Sequence, residues 1–152
     1  MAYVRWAEEV DEQCAHIPDA AARLNVRGIA YLRWAQENPD AYSALFVRAW
    51  QADSDRSVYG PGFDKLLDDL AEVHNMDHGD ARLLTVAFTY WASIHGLACL
   101  TIAIPQFDST TMWGTLNLMG QIYGAVDATK VPTNPAQFLA NTMTAPLVAV
   151  AG

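Results

Sequence analysis

Apolar residues recur at helical spacing along most of the chain, and each run is closed by residues that helices do not tolerate inside. Tyr3, Trp6, Val10, Cys14 and Ile17 form the first stripe, with Glu8, Glu9, Asp11 and Glu12 on the other sides, and Pro18 ends it. Asp19 or a neighbour can cap a second helix running from Ala20 to about Asn38. Its stripe of Leu24, Gly28, Tyr31 or Leu32, and Ala35 turns inward while Arg23, Arg27 and Arg33 are expected to reach water. Asn38-Pro39 breaks that helix and opens a third, because proline fits a first helical turn but not an interior; the third carries Tyr42, Leu45, Phe46 and Trp50.

Residues 52 to 62 are polar and end in Tyr-Gly-Pro-Gly, which reads as a loop. Phe63, Leu66, Leu67, Leu70 and Val73 then make a fourth amphipathic helix to about His74, with Asp64, Lys65, Asp68, Asp69 and Glu72 expected outward. Asp80 can cap a fifth and longest helix to about Ile104. It carries two apolar stripes: Leu84, Phe88, Trp91, His95, Ala98 and Ile102, and Leu83, Ala87, Tyr90, Ile94, Leu97 and Thr101. Pro105 ends it. A sixth helix follows from Ser109 to about Val126, with Met112, Leu116, Met119 and Tyr123 on one side. Gly114, Gly120 and Gly124 each cost helix propensity of about 1 kcal/mol against alanine, which a close backbone approach would offset. Beyond Lys130, Pro132, Pro135 and Pro146 leave an irregular tail in which residues 137–143 have room for two turns. No strand of convincing alternation, repeat or low-complexity tract is visible, so the fold class is all-α, a bundle of about six helices in one domain over residues 1–152.

Charge changes this picture. Of 26 charged side chains, 23 lie in residues 1–82, and between Arg82 and Lys130 only Asp108 and Asp127 occur. A helix pair apolar on more than one face needs a cover, and a second copy of the chain is the simplest one. Leu83, Ala87, Tyr90, Ile94, Leu97 and Thr101 of the fifth helix, with Trp113, Leu116, Gly120 and Tyr123 of the sixth, are the expected homodimer interface, a four-helix arrangement. Leu83 to Ile104 is also 22 residues without a formal charge, long enough to span a bilayer. Its threonines, Tyr90, Ser93, His95 and Gly96 make it wetter than a lipid-facing span, and no basic cluster marks one end, so a helix buried by protein is the preferred reading and no membrane partner is expected.

The net charge of −8 with no basic stripe argues against nucleic-acid contact by this chain itself. Cys14 and Cys99 are too few for a disulfide framework, and the first residues lack a secretory pattern, which points to a reducing, cytoplasmic setting.

Two segments together carry a resemblance. Ala30-Tyr31-Leu32-Arg33-Trp34-Ala35-Gln36-Glu37-Asn38-Pro39-Asp40-Ala41-Tyr42-Ser43-Ala44-Leu45-Phe46, and later Trp91-Ala92-Ser93-Ile94-His95-Gly96-Leu97-Ala98, resemble the C-terminal domain of tetracycline-repressor-type (TetR family) transcriptional regulators, in the subgroup with a Trp-His-Gly signature. The resemblance covers roughly residues 1–126. It implies an effector-binding and dimerisation domain whose fifth and sixth helices build the dimer bundle. Members normally begin with a basic helix-turn-helix domain, whereas this chain starts at what reads as the connecting helix after it (residues 1–17), so DNA is implied only through a domain this chain lacks.

The implied site is a pocket for a small apolar or amphipathic effector. The wealth of aromatics supports it, because pockets of this kind are mostly apolar with a few orienting polar groups. Tyr31, Trp34, Tyr42, Phe46, Phe63, Leu67, Trp91 and His95 are the candidate lining residues, each equally able to be plain core. His95, one turn after Trp91, could bond an effector or join helices structurally, and Gly96 beside it reads as room for a crossing helix. Two histidine pairings, His95 with Cys99 and His74 with His78 near Asp77 and Asp80, have a four-residue spacing that metal ligands use, yet each supplies too few ligands. No nucleophile elbow or phosphate loop appears, and the pairs Glu8-Glu9 and Asp68-Asp69 read as solvated. The expectation is a non-enzyme without cofactor or metal. A stand-alone carrier of hydrophobic molecules is the first alternative, and a helical metalloenzyme using His74, His78 and His95 the second.

Overall fold

Aspartates start the long helices, and turn residues end them. In the computed structural model, which describes residues 2–48, 62–134 and 136, Asp19 accepts from the backbone N–H groups of Ala21 and Ala22 at 3.4 and 3.2 Å and opens α2, Ala20–Glu37. Asp80 accepts from Arg82 N–H at 2.9 Å ahead of α5, Ala81–Ala103, and Asp108 from Thr111 N–H at 2.9 Å ahead of α6, Ser109–Gly124. α1 spans Ala2–Cys14. Pro39 begins the short α3, Pro39–Ser43, which widens into a π-helical turn at Ala44–Arg48 rather than running on as the single third helix expected. α4, Phe63–His74, starts after Gly62, whose φ of 85° lies in the left-handed region glycine adopts without strain. It ends at Asn75, also left-handed at φ 48°, and Met76 N–H returns to the Ala71 carbonyl at 2.8 Å. A 3₁₀ turn at Ala128–Lys130 follows α6, and no strand occurs among the described residues. Trp50, most of the 52–62 loop and the 137–143 segment lie outside them.

α2 runs through the middle, against α1, α3, α4, α5 and α6. One end of the core gathers Leu24 with Phe63, Leu66, Leu70, Leu83, Val86, Ala87 and Tyr90. The other gathers Tyr31, Leu32, Trp34 and Ala35 with Tyr42, Ile94, Leu97, Ala98 and Met112. Burial of such side chains contributes about 1.5–3 kcal/mol each. The Tyr90 hydroxyl donates to the Leu24 carbonyl at 3.1 Å, which satisfies this buried polar atom. Gly28 makes the crossing of α2 with α5 and α6 possible: a Cβ there would sit 3.3 Å from Leu116, and 3.4 Å from both Ile94 and the Tyr90 hydroxyl.

This packing corrects the expected interface. Leu83, Ala87, Tyr90, Ile94 and Leu97 are all 7% exposed or less, because their stripe is the subunit's own core against α2 and α4, and nothing of it is left for a partner. Leu116 rests on Gly28, Gly120 faces Asn25, and Trp113 lies under the Arg33 guanidinium. Tyr123 is half-buried, its hydroxyl donating to the Thr89 carbonyl at 3.0 Å, and Thr101 turns its hydroxyl onto the Ala98 carbonyl at 2.8 Å. The second stripe packs too, with Phe88 and Trp91 against Phe63, and His95 against Tyr42. What α5 leaves outward is a third face of Thr85, Thr89, Ala92, Leu100 and Ala103, continued on α6 by Gly114, Leu118, Gln121 and Ile122. It bears no formal charge, and Leu100, Leu118 and Ile122 on it are 46, 56 and 54% exposed. Gly96 borders this face, and among the described residues nothing lies within 4 Å of a Cβ placed there or at Gly114 or Gly124, so of the α6 glycines only Gly120 meets there the close approach expected of all three.

α5 is also the one helix among the described residues long and apolar enough to cross a membrane by length and composition. Two of its three faces are apolar because they pack within the bundle.

A candidate ligand cavity under the first helix

Between α1 and the groove formed by α2, α4 and α5 lies a cavity of about 80 Å³. Among the described residues its walls are Tyr3, Trp6, Ala7 and Val10 of α1, Gly28 and Tyr31 of α2, Phe63 and Leu66 of α4 with Gly62 ahead of it, and Tyr90, Trp91 and Ile94 of α5. Asp11 and Arg27 supply its polar end. An apolar box with one polar edge is the chemistry of a site for an amphipathic molecule. Its volume is well below the roughly 300–1,000 Å³ of pockets that enclose a drug-sized ligand, so an occupant of that size must push helices apart.

Of the eight candidate residues, the structure brings Tyr31, Phe63 and Trp91 to this wall. Trp34 and Tyr42 are buried behind it, 6 and 1% exposed. Trp34 packs in an aromatic cluster with Tyr3, Trp6 and Tyr42, and Phe46 packs its ring on Tyr3, Tyr31, Tyr42 and His95. Leu67 supports the α4 side of the core and is not on the wall. His95 is not on it either. Its Nδ1 lies 2.5 Å from the Tyr42 hydroxyl and 3.1 Å from that of Tyr31. The Tyr42 hydroxyl also lies 3.3 Å from the His95 carbonyl, and His95 Nε2 is 3.8 Å from Cys99 Sγ. Burial lowers the His95 pKa and raises those of Tyr31 and Tyr42, which keeps the cluster neutral. His95 therefore joins α5 to α2 and α3 through side-chain hydroxyls, and it holds Tyr31, which does reach the cavity.

Sequence reasoning missed the α1 contribution of Tyr3, Trp6 and Val10, the wall position of Ile94, and above all the polar end. Asp69, expected on the surface, is 4% exposed. Its two oxygens accept from Arg23 Nε at 2.6 Å and Arg27 Nε at 2.8 Å. Arg23 also donates to Glu72 at 2.5 Å and to the Ile17 and Pro18 carbonyls at 2.9 and 2.8 Å. Arg27 reaches across to Asp11 on α1. Both arginine side chains are about one-seventh exposed (15 and 14%) rather than in water, because a shared buried carboxylate draws them inward. The network ties α1, the turn after it, α2 and α4 into one ionic clasp.

The histidine trio does not assemble. α4 stops at His74, so His78 is not one turn further on the same face, and it lies exposed, 3.6 Å from Asp68. His95 sits with the tyrosines, and no group of three potential ligands occurs among the described residues. His74 instead borders a second cavity of about 60 Å³ with Asn25, Val73, Tyr90, Gly120 and Tyr123. Its Nε2 is buried without a hydrogen-bond partner among the described residues, and burial lowers its pKa.

The chain is thus an all-helical bundle with an apolar cavity under its first helix and a charge-poor face on its last two long helices. Residues 27–112, more than half of the chain, match the family model described as tetracyclin repressor-like, C-terminal domain, and the chain belongs to this family. No curated protein and no solved structure matches it. The family is one of regulatory, effector-binding and dimerisation domains rather than catalysts.

Proposed function

We propose that this chain is the effector-binding and dimerisation unit of a transcriptional regulator, and that a small apolar or amphipathic molecule binds in the cavity under α1. The observation that carries the reading is the composition of that cavity. Aromatic side chains from α1, α2, α4 and α5 face one space, and the only charged groups on its wall among the described residues are Asp11 and Arg27. Because the space is small, an occupant acts as a wedge: it binds better where α1 has moved away, and so shifts the population toward that arrangement. A DNA-reading segment joined to the N-terminal end of α1 would be repositioned by the same motion.

The homodimer belongs to the same proposal, with its interface placed on the outward faces of α5 and α6 instead of the stripe expected from sequence. Thr85, Thr89, Ala92 and Gly96 are small enough to let helices approach closely, while Leu100, Leu118 and Ile122 supply apolar area. Native mass spectrometry of protein purified from its host checks both halves. The expected spectrum shows a dimer carrying a retained small molecule that is absent after denaturation. A bare monomer at micromolar concentration would contradict the proposal.

A further inference from the structure

The polar end of the cavity narrows the chemistry of what enters it; the inference rests on the reading that this cavity is the effector site. Among the described residues two charged groups face the space, and they are held very differently. Arg27 is fixed from behind, its Nε bonded to Asp69 at 2.8 Å, and Asp69 is itself 4% exposed and shared with Arg23. Among the described residues Asp11 is held only from the front, by Arg27, and its side chain is 31% exposed on the outer helix. The preorganised partner is therefore a cation, and the replaceable one is a carboxylate that water can receive.

We propose that the occupant carries a carboxylate which takes the place of Asp11 on Arg27, and that this exchange releases α1. Arg23 and Arg27 face three carboxylates, those of Asp11, Asp69 and Glu72. An incoming anion is accommodated only if one of them leaves, and Asp11 is the one on the helix that must move. After the exchange the Arg27 guanidinium still has two carboxylate partners, so no buried charge is left unpaired. A planar fork matches an incoming carboxylate as well as it matched Asp11. A neutral ligand offers Arg27 no acceptor in place of Asp11, so the clasp opposes its entry. A cationic one meets a fixed guanidinium and, by drawing Asp11 away, strips Arg27 of an acceptor in an apolar wall. The ligand class is thus a monocarboxylate with an aliphatic or aromatic tail lying against Trp6, Tyr31, Phe63 and Trp91.

The test titrates the full chain with octanoate, octanol and octyltrimethylammonium, following tryptophan fluorescence and calorimetry, in the unsubstituted protein and in Asp11→Asn. Octanoate is expected to bind at least tenfold more tightly than the other two, and to raise amide hydrogen exchange in residues 2–14 where octanol does not. Asp11→Asn removes the internal competitor, so octanoate affinity is expected to rise about tenfold while octanol affinity stays put. A merely structural Asp11 would give the opposite sign or no change. Equal binding of octanol and octanoate, with Asp11→Asn without effect, overturns the carboxylate inference and leaves the cavity reading standing. Binding of none of the three overturns both.

Discussion

Replacing Asp69 by alanine is expected to destabilise the domain by about 3–5 kcal/mol, the range for stranding buried charge by removing one partner. Two guanidiniums lose their shared acceptor at once, because Arg23 Nε and Arg27 Nε both end on this carboxylate. Total stabilities of about 5–15 kcal/mol are usual for domains, so the variant should be marginal, with a midpoint lowered by about 10 °C or more. Urea and thermal unfolding followed by circular dichroism measure both. Glu72→Ala is the internal control: Glu72 is bonded to the same Arg23, yet its side chain is 58% exposed, so a loss of about 0–1 kcal/mol is expected. If Asp69→Ala costs no more than Glu72→Ala, the clasp does not hold the helices together.

Leu118→Glu should abolish pairing of the chain while leaving its fold intact. Leu118 is 56% exposed in the subunit and sits in the middle of the outward face of α6, between Gly114 and Ile122. In a twofold interface the substitution places a carboxylate on each side of an apolar contact, and burying it there is expected to weaken association by about 100-fold or more. Sedimentation velocity across the micromolar range should show a dimer becoming a monomer, with an unchanged helical spectrum. A control at Leu84, 37% exposed but on a different face of α5, should leave the dimer in place. Dissociation by Leu84→Glu and not by Leu118→Glu would move the interface elsewhere.

The helices were legible because their ends are written in single residues. Asp19 and Asp80 cap, and Pro18, Pro39 and Pro105 interrupt, as local chemistry requires whatever the tertiary fold. The two faults on charged positions share one cause. Asp69 follows Asp68 and was read with it as solvated, although it stands three residues after Leu66 and four before Val73, inside the apolar stripe of α4. Arg23 and Arg27, one turn apart on α2, are its complement, and only tertiary contact shows that they meet.

α5 differs from its sequence reading for another reason. A hydrophobic stripe cannot say whether it faces its own bundle or a copy, and here both visible stripes turned inward. The outward face of threonine, alanine and glycine is not greasy enough to register as a stripe. Its only signal in the sequence is the missing charge, which does not say which side of the helix is left outward. For the cavity, the aromatic content of α2, α4 and α5 pointed to Tyr31, Phe63 and Trp91, while the wall supplied by α1 depends on how that helix docks.

The occupancy of the space under α1 is the central claim, and photoaffinity labelling tests it most directly. An eight-carbon amphiphile carrying a diazirine near its tail, irradiated with the protein and mapped by peptide mass spectrometry, is expected to label the α1 segment from Tyr3 to Val10, Phe63 to Leu66, and Trp91 to Ile94. Labels confined to Leu100, Leu118 and Ile122, the exposed face of α5 and α6, would show that the amphiphile sees only the outer surface and would contradict the account.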